Sequence, residues 1–115
     1  MKYGDLYTHY KQKEYFFITI ALPLNEYRGC LSELRTINLA YDAHTPEGEE
    51  PWRVQLYAYK GITFINKDAP HVIYQSEDDY ETDKVWVREV DEFFGVVNIT
   101  PFKTVRRYIK IVKRN

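Results

Sequence analysis

The chain of 115 residues is one domain's worth, long enough to bury a core without staples, and a second independent domain is not expected. Its 16 Lys plus Arg against 17 Asp plus Glu leave a formal charge of -1, which excludes a general electrostatic pull toward nucleic acid or an anionic membrane surface. The single cysteine, Cys30, excludes an intrachain disulfide and a four-cysteine zinc site, and fits a reducing, cytoplasmic setting. With no cation or histidine beside it in sequence to lower its pKa, Cys30 reads as a small semi-buried hydrophobe rather than a nucleophile.

Tyr15 to Leu24 (YFFITIALPL) is the longest apolar run. It is about half the length of a bilayer span and contains Pro23, so a membrane helix is not expected; fourteen largely polar residues before it and no small-residue cleavage site after it argue against a signal peptide. Phe16, Ile18, Ile20 and Leu22 share one parity of this run, the pattern of a strand buried mainly on one face. Extending that parity backwards puts Thr8 and Tyr10 on the core side and Tyr7, His9 and Lys11 on the other, provided no bulge intervenes. Downstream, residues 34–43 and 52–60 both alternate and are separated by HTPEGEEP, a long hairpin with an acidic loop. Lys60-Gly61 turns the chain into ITFI, a short strand at residues 62–65. A loop over residues 66–70 leads to a fifth strand from His71, and the acidic stretch 76–83 to a sixth, KVWVR at 84–88. EVDEFF is short for a full helix and reads as a single turn closed by Gly95.

The tail is ambiguous. Thr100-Pro101 suits a helix start, with Phe102, Val105, Ile109 and Val112 on one face and Lys103, Arg106, Arg107, Lys110 and Lys113 around it; RYIKIVK also alternates and is β-branched, which favours a strand. Seventeen per cent aromatic residues, 11 of them Tyr, suit strands that are apolar in body and wet at the tip. The fold class expected is mainly β: a small antiparallel barrel or highly curved sheet with little helix.

Two separated blocks resemble a known family. Gly4-Asp5-Leu6-Tyr7-Thr8-His9-Tyr10-Lys11, followed by Tyr15 and Ala21, resembles the opening of an uncharacterised bacterial family, domain of unknown function 1653. His71-Val72-Ile73-Tyr74, then an acidic gap, Val85-Trp86-Val87-Arg88 and Phe93, resembles its close. The resemblance implies a bacterial or phage protein with an SH3-like barrel core formed by residues 4–21 and 71–94, and it implies no activity. Residues 22–70 then read as an inserted hairpin region and 96–115 as a basic tail. A two-stranded ribbon is marginal alone, so the insertion is expected to rest on the barrel or on a second copy, giving a homodimer.

One constellation stands out. Tyr7, His9 and Lys11 on one strand and Trp86 and Arg88 on another, joined by Tyr74, bring aromatic planes and cations to one surface, a composition suited to stacking a planar group while pairing its phosphate or carboxylate. The plainer alternative is that Trp86 packs in a second small core, Arg88 lies over an aromatic ring and His9 makes a structural hydrogen bond. No nucleophile elbow, phosphate loop or Cys-His pair supports an enzyme. His9, His44 and His71 lack metal-ligand spacing, and the acidic loop of Glu77, Asp78, Asp79, Glu81 and Asp83 lacks a calcium-loop pattern, so neither metal nor cofactor is expected. That loop is expected to be solvated, or to meet the basic tail. The tail's cations read as edge protection, and nucleic acid as a partner is disfavoured. The sequence therefore points to a non-enzymatic module for a small anionic ligand, nucleotide-like ligands included; the alternative is a protein-interaction module using an SH3-like groove or the hairpin's edge.

Overall fold

A computed structural model describes residues 5–11, 13–79, 81–101 and 103–111, with the backbone alone at Ile99. Gly4 of the first family-like block, and Phe102, Val112 and Lys113 of the tail, lie outside the described residues. The strands follow the alternating stretches closely: β1 (Leu6–His9), β2 (Glu14–Pro23), β3 (Arg35–Asp42), β4 (Arg53–Tyr59), β5 (Ile62–Ile65), β6 (His71–Ser76) and β7 (Trp86–Glu89). A single helical turn, α1 (Val90–Phe93), is followed by β8 (Val96–Thr100), β9 (Lys103–Arg106) and β10 (Tyr108–Lys110). The described part of the tail is thus extended, and its β-branched alternation outweighs the Thr100-Pro101 helix signal: Pro101 lies in the turn between β8 and β9.

The main sheet runs β10-β1-β2-β5-β4-β3-β7-β6, and a further pairing of β2 with β6 closes β2 through β7 into a six-stranded barrel. Four of the six seams are antiparallel; β2–β5 and β3–β7 are parallel. β1 and β5 share the β2 edge opposite β6, β1 pairing near its start (Glu14 to Phe16) and β5 near its end (Ala21 to Pro23). β8 and β9 form a separate two-stranded ribbon. No helix among the described residues is long and apolar enough to cross a membrane.

Residues 35–65 supply three strands of the barrel wall. The stretch read as an inserted hairpin is therefore structural: β3 is bonded to β4 and β7, and β4 to β3 and β5. β4 is held between β3 and β5, and β3 pairs with β7 only through Tyr41 and Asp42, so the ribbon rests on the barrel as one of the two expected arrangements. Trp52, assigned by parity to the apolar side with Val54 and Leu56, sits just before β4 and is half exposed while those two are buried.

Two cores form, one on each side of the wall. Inside the barrel are Ala21, Ala40, Val54, Leu56, Ile65, Ile73, Val85 and Val87, with Ile18 and Ile37 against them. Outside it, Tyr7, Phe17, Val72, Tyr74, Phe93 and Tyr108 make an aromatic core covered by α1 and β10. Phe93 and Val72 are as completely buried there as Ile65 and Val87 are in the barrel, each burial stabilising by about 1.5–3 kcal/mol.

This second core corrects the parity reading. The β2–β6 register shifts between Phe17 and Thr19, so Tyr15, Phe17 and Ile20 belong to the outer core while Ile18 and Ala21 face the barrel. Phe17, not Phe16, is the buried ring. Tyr7 is likewise only 5% exposed, whereas Thr8 and Tyr10 are partly exposed. Cys30 is exposed, its Sγ 2.9 Å from the Ser32 hydroxyl, instead of semi-buried.

Candidate functional site

The outer face of the wall is built by register. Directly opposite residues of neighbouring strands share a face, and His9↔Tyr108, Tyr7↔Tyr15, Tyr15↔Ser76, Phe17↔Tyr74, Tyr74↔Trp86 and Val72↔Arg88 tile one continuous surface across β10, β1, β2, β6 and β7. The twist of short strands curls this surface into a concavity of about 540 Å³.

Its floor is aromatic. Tyr15, Tyr74 and Tyr108 meet edge to face with ring centroids 5.4–5.7 Å apart. Behind Tyr108, Phe93 of α1 stacks at 4.0 Å with the rings only 7° from parallel, fixing the floor's depth. Gly95 ends α1 by donating its N–H to Glu92 O at 3.1 Å, and its carbonyl accepts from Arg107 N at 3.0 Å, which leads the chain into β10.

The rim is charged. Lys11, Lys13, Lys84, Arg88, Asp78 and Asp79 all line the concavity. Lys13 pairs with Asp78, and Glu77 accepts from the Glu14 backbone N–H at 3.4 Å. The acidic turn is thereby tied to the β1–β2 hairpin, not to the basic tail; among the described tail cations, Lys110 pairs with Asp5 at 3.3 Å. The Lys84 ammonium lies 5.2 Å from the centroids of both Tyr41 and Trp86, and that of Lys11 lies 5.8 Å from Tyr10.

Arg88, mostly buried, pairs with Glu92 four residues on, one turn of α1 away. Glu92 offers its other oxygen to His44 Nε2; His44 donates its backbone N–H to Asp42 at 2.8 Å, and Asp42 pairs with Lys67 at 2.9 Å. Burial works to raise the Asp42 carboxyl, but Lys67 and the His44 amide outweigh it and hold the group below the usual carboxylate range. Burial would likewise lower the Arg88 pKa, yet the neighbouring Tyr74 and Tyr108 oxygens raise it, so the guanidinium stays charged. The Tyr108 hydroxyl is driven far above its ordinary value by burial and by Tyr74 beside it, so it is a neutral donor at any physiological pH.

His9 is held down to about 4, first by burial and then by Arg88, Arg107 and Lys11. At neutral pH it is uncharged. Its Nδ1 accepts the Lys11 backbone N–H at 3.3 Å, so the ring proton sits on Nε2, a donor.

Five of the six residues singled out from sequence, His9, Lys11, Tyr74, Trp86 and Arg88, line this one concavity. Tyr7 does not: it is buried beneath it, against Phe17, Phe93 and Phe94 at 5.4–6.5 Å. The plainer alternative for Trp86 holds in part, since the ring also packs on the outer core. Tyr15, Tyr108, Lys13 and Lys84 were not singled out. Tyr15 could have been, because its parity matches Tyr7 once the β1–β2 hairpin is paired. His71 is structural: buried, with Nδ1 2.7 Å from Ala69 O.

A second concavity of about 600 Å³ lies among Glu33, Arg35, Ile37, Tyr59, Lys60 and Thr63. Size does not separate the two. The first is preferred because it gathers interlocked aromatic rings, neutral donors and a histidine with a perturbed pKa, the usual marks of a binding site. No cluster of three His, Cys, Asp or Glu suited to a metal occurs among the described residues. No family model, curated protein or solved structure matches this chain.

Proposed function

We propose that the chain is a non-enzymatic binding module whose concavity takes a small anionic ligand bearing a planar, nucleotide-like group. The observation that carries this reading is the meeting of interlocked rings with cations on one face: Tyr15, Tyr74, Trp86 and Tyr108 beside Lys11, Lys84 and Arg88. Rings of this kind stack a planar group, and Arg and Lys pair its oxyanion. His9 supports binding over chemistry, because a neutral imidazole with a pKa near 4 is a weak general base at pH 7. Native mass spectrometry of protein purified from lysate, with a thermal-shift panel of mononucleotides and cyclic nucleotides, tests the reading. A co-purifying mass or a stabilising nucleotide is expected; neither appearing would sink it.

The runner-up is a protein-interaction module on the same face, supported by the enrichment of Tyr, Trp and Arg in interface hot spots. Its hairpin-edge form would use the stretch of β3 before Tyr41, which pairs with β4 on one side and not with β7 on the other. Pull-down with Trp86→Ala as control separates the readings: a partner lost on mutation, with an empty cavity in mass spectrometry, selects the module.

A further inference from the structure

We propose that the concavity selects a singly charged oxyanion, a carboxylate or phosphodiester, over a doubly charged phosphomonoester. This rests on the reading that the concavity binds an anionic ligand. The charges around it are nearly balanced. Of the four lining cations, Lys13 is matched by Asp78 and Arg88 by Glu92. Lys11 and Lys84 remain, and Asp79 is the one lining carboxylate left to set against them. Beyond the lining, Arg107 acts on His9 and Glu77 on Lys13, one charge of each sign. The net excess is therefore one positive charge.

The remaining lining donors are uncharged: His9 with its proton on Nε2, the Tyr15 and Ser76 hydroxyls and the Trp86 indole N–H, while the Tyr74 and Tyr108 hydroxyls share a hydrogen bond and both accept from Arg88. Neutral donors solvate one spread oxyanion charge well, but they do not neutralise a second one. A dianion would bring one charge with no counterion into a partly desolvated space beside Asp79, where an unmatched charge is costly.

The test is isothermal titration of the full chain at pH 7.5 with four probes: 3′,5′-cyclic AMP, 5′-AMP, nicotinate and adenosine. At that pH 5′-AMP is mostly dianionic, because its second phosphate pKa is about 6. Cyclic AMP or nicotinate is expected to bind at least about tenfold tighter than 5′-AMP; the ratio of the first two tells phosphodiester from carboxylate, and either supports the proposal. Asp79→Asn removes one negative charge and is expected to tighten 5′-AMP more than cyclic AMP. If 5′-AMP binds as tightly as both monoanions or tighter, monoanion selection is overturned while the anionic reading stands. Adenosine binding as tightly as the tighter of the two monoanions, or no probe binding at all, overturns the anionic reading itself and the selection with it.

Discussion

The depressed pKa of His9 makes stability depend on pH in a defined window. His9 moves from 6.5 in the unfolded chain to about 4 in the fold. Between those values the unfolded state binds a proton that the native state refuses, so stability falls as pH drops from about 6.5 to 4 and levels off below. Transmitted in full, the difference is worth about 3.4 kcal/mol; because His9 is only partly buried, solvent screening reduces this to about 1–2 kcal/mol. His9→Asn keeps an acceptor for the Lys11 N–H and removes the titration. Urea unfolding at pH 7.5, 5.5 and 4.5, followed by tryptophan fluorescence, should show the wild type losing about 1–2 kcal/mol more than the variant over that range. The lowered Asp42 carboxyl acts in a separate window: its stabilisation is present above its unfolded value of 3.8 and is lost as pH falls further. Parallel losses in wild type and His9→Asn, or an NMR titration of the His9 ring with a midpoint near 6.5, would refute the argument.

Three further substitutions probe the scaffold. Phe93→Ala removes a fully buried ring stacked on Tyr108, and should cost about 3–5 kcal/mol in urea melts; a loss below about 1 kcal/mol would mean that the outer core is not packed as described. Gly95→Ala places a Cβ 2.7 Å from the Asp91 carbonyl oxygen, a clash that only the backbone of α1 can relieve, and should lower stability by about 1–3 kcal/mol. Lys60 and Gly61 form the two-residue β4–β5 turn with φ of 48° and 81°, the left-handed pair of a type I′ turn that favours Asn-Gly. Lys60→Asn should therefore raise the unfolding free energy by about 0.5–1 kcal/mol; a decrease would contradict the turn assignment.

Strand identity was legible because β3 and β4 alternate and turn residues bound the shorter runs of β5, β6 and β7, and the β-branched alternation of the tail matches the extended form of Tyr108–Lys110. Closure was not. Nothing in ITFI says that it lies parallel to β2, or in Trp86-Val87 that it lies parallel to β3, because pairing partners are set by the whole sheet and not by local pattern. The bulge near Ile18 has the same status: one extra residue, invisible in a run of apolar side chains, moves Ile20 to the face that holds Phe17. Alternation placed Tyr7 and His9 on one face correctly, but not that this face carries a second core. Burial is deepest where α1 lies over it, and that separates buried Tyr7 from rim-lining His9. Tyr108 escaped notice because its value comes from β10 lying beside β1, a contact across almost the entire chain.

Amide chemical-shift mapping of the full chain titrated with cyclic AMP and nicotinate tests the central claim most directly. Perturbed amides should cluster at His9 to Tyr15, Tyr74 to Asp79, Lys84 to Arg88 and Tyr108. No perturbation with either probe, or perturbation centred instead on Glu33, Arg35 and Lys60, would contradict it.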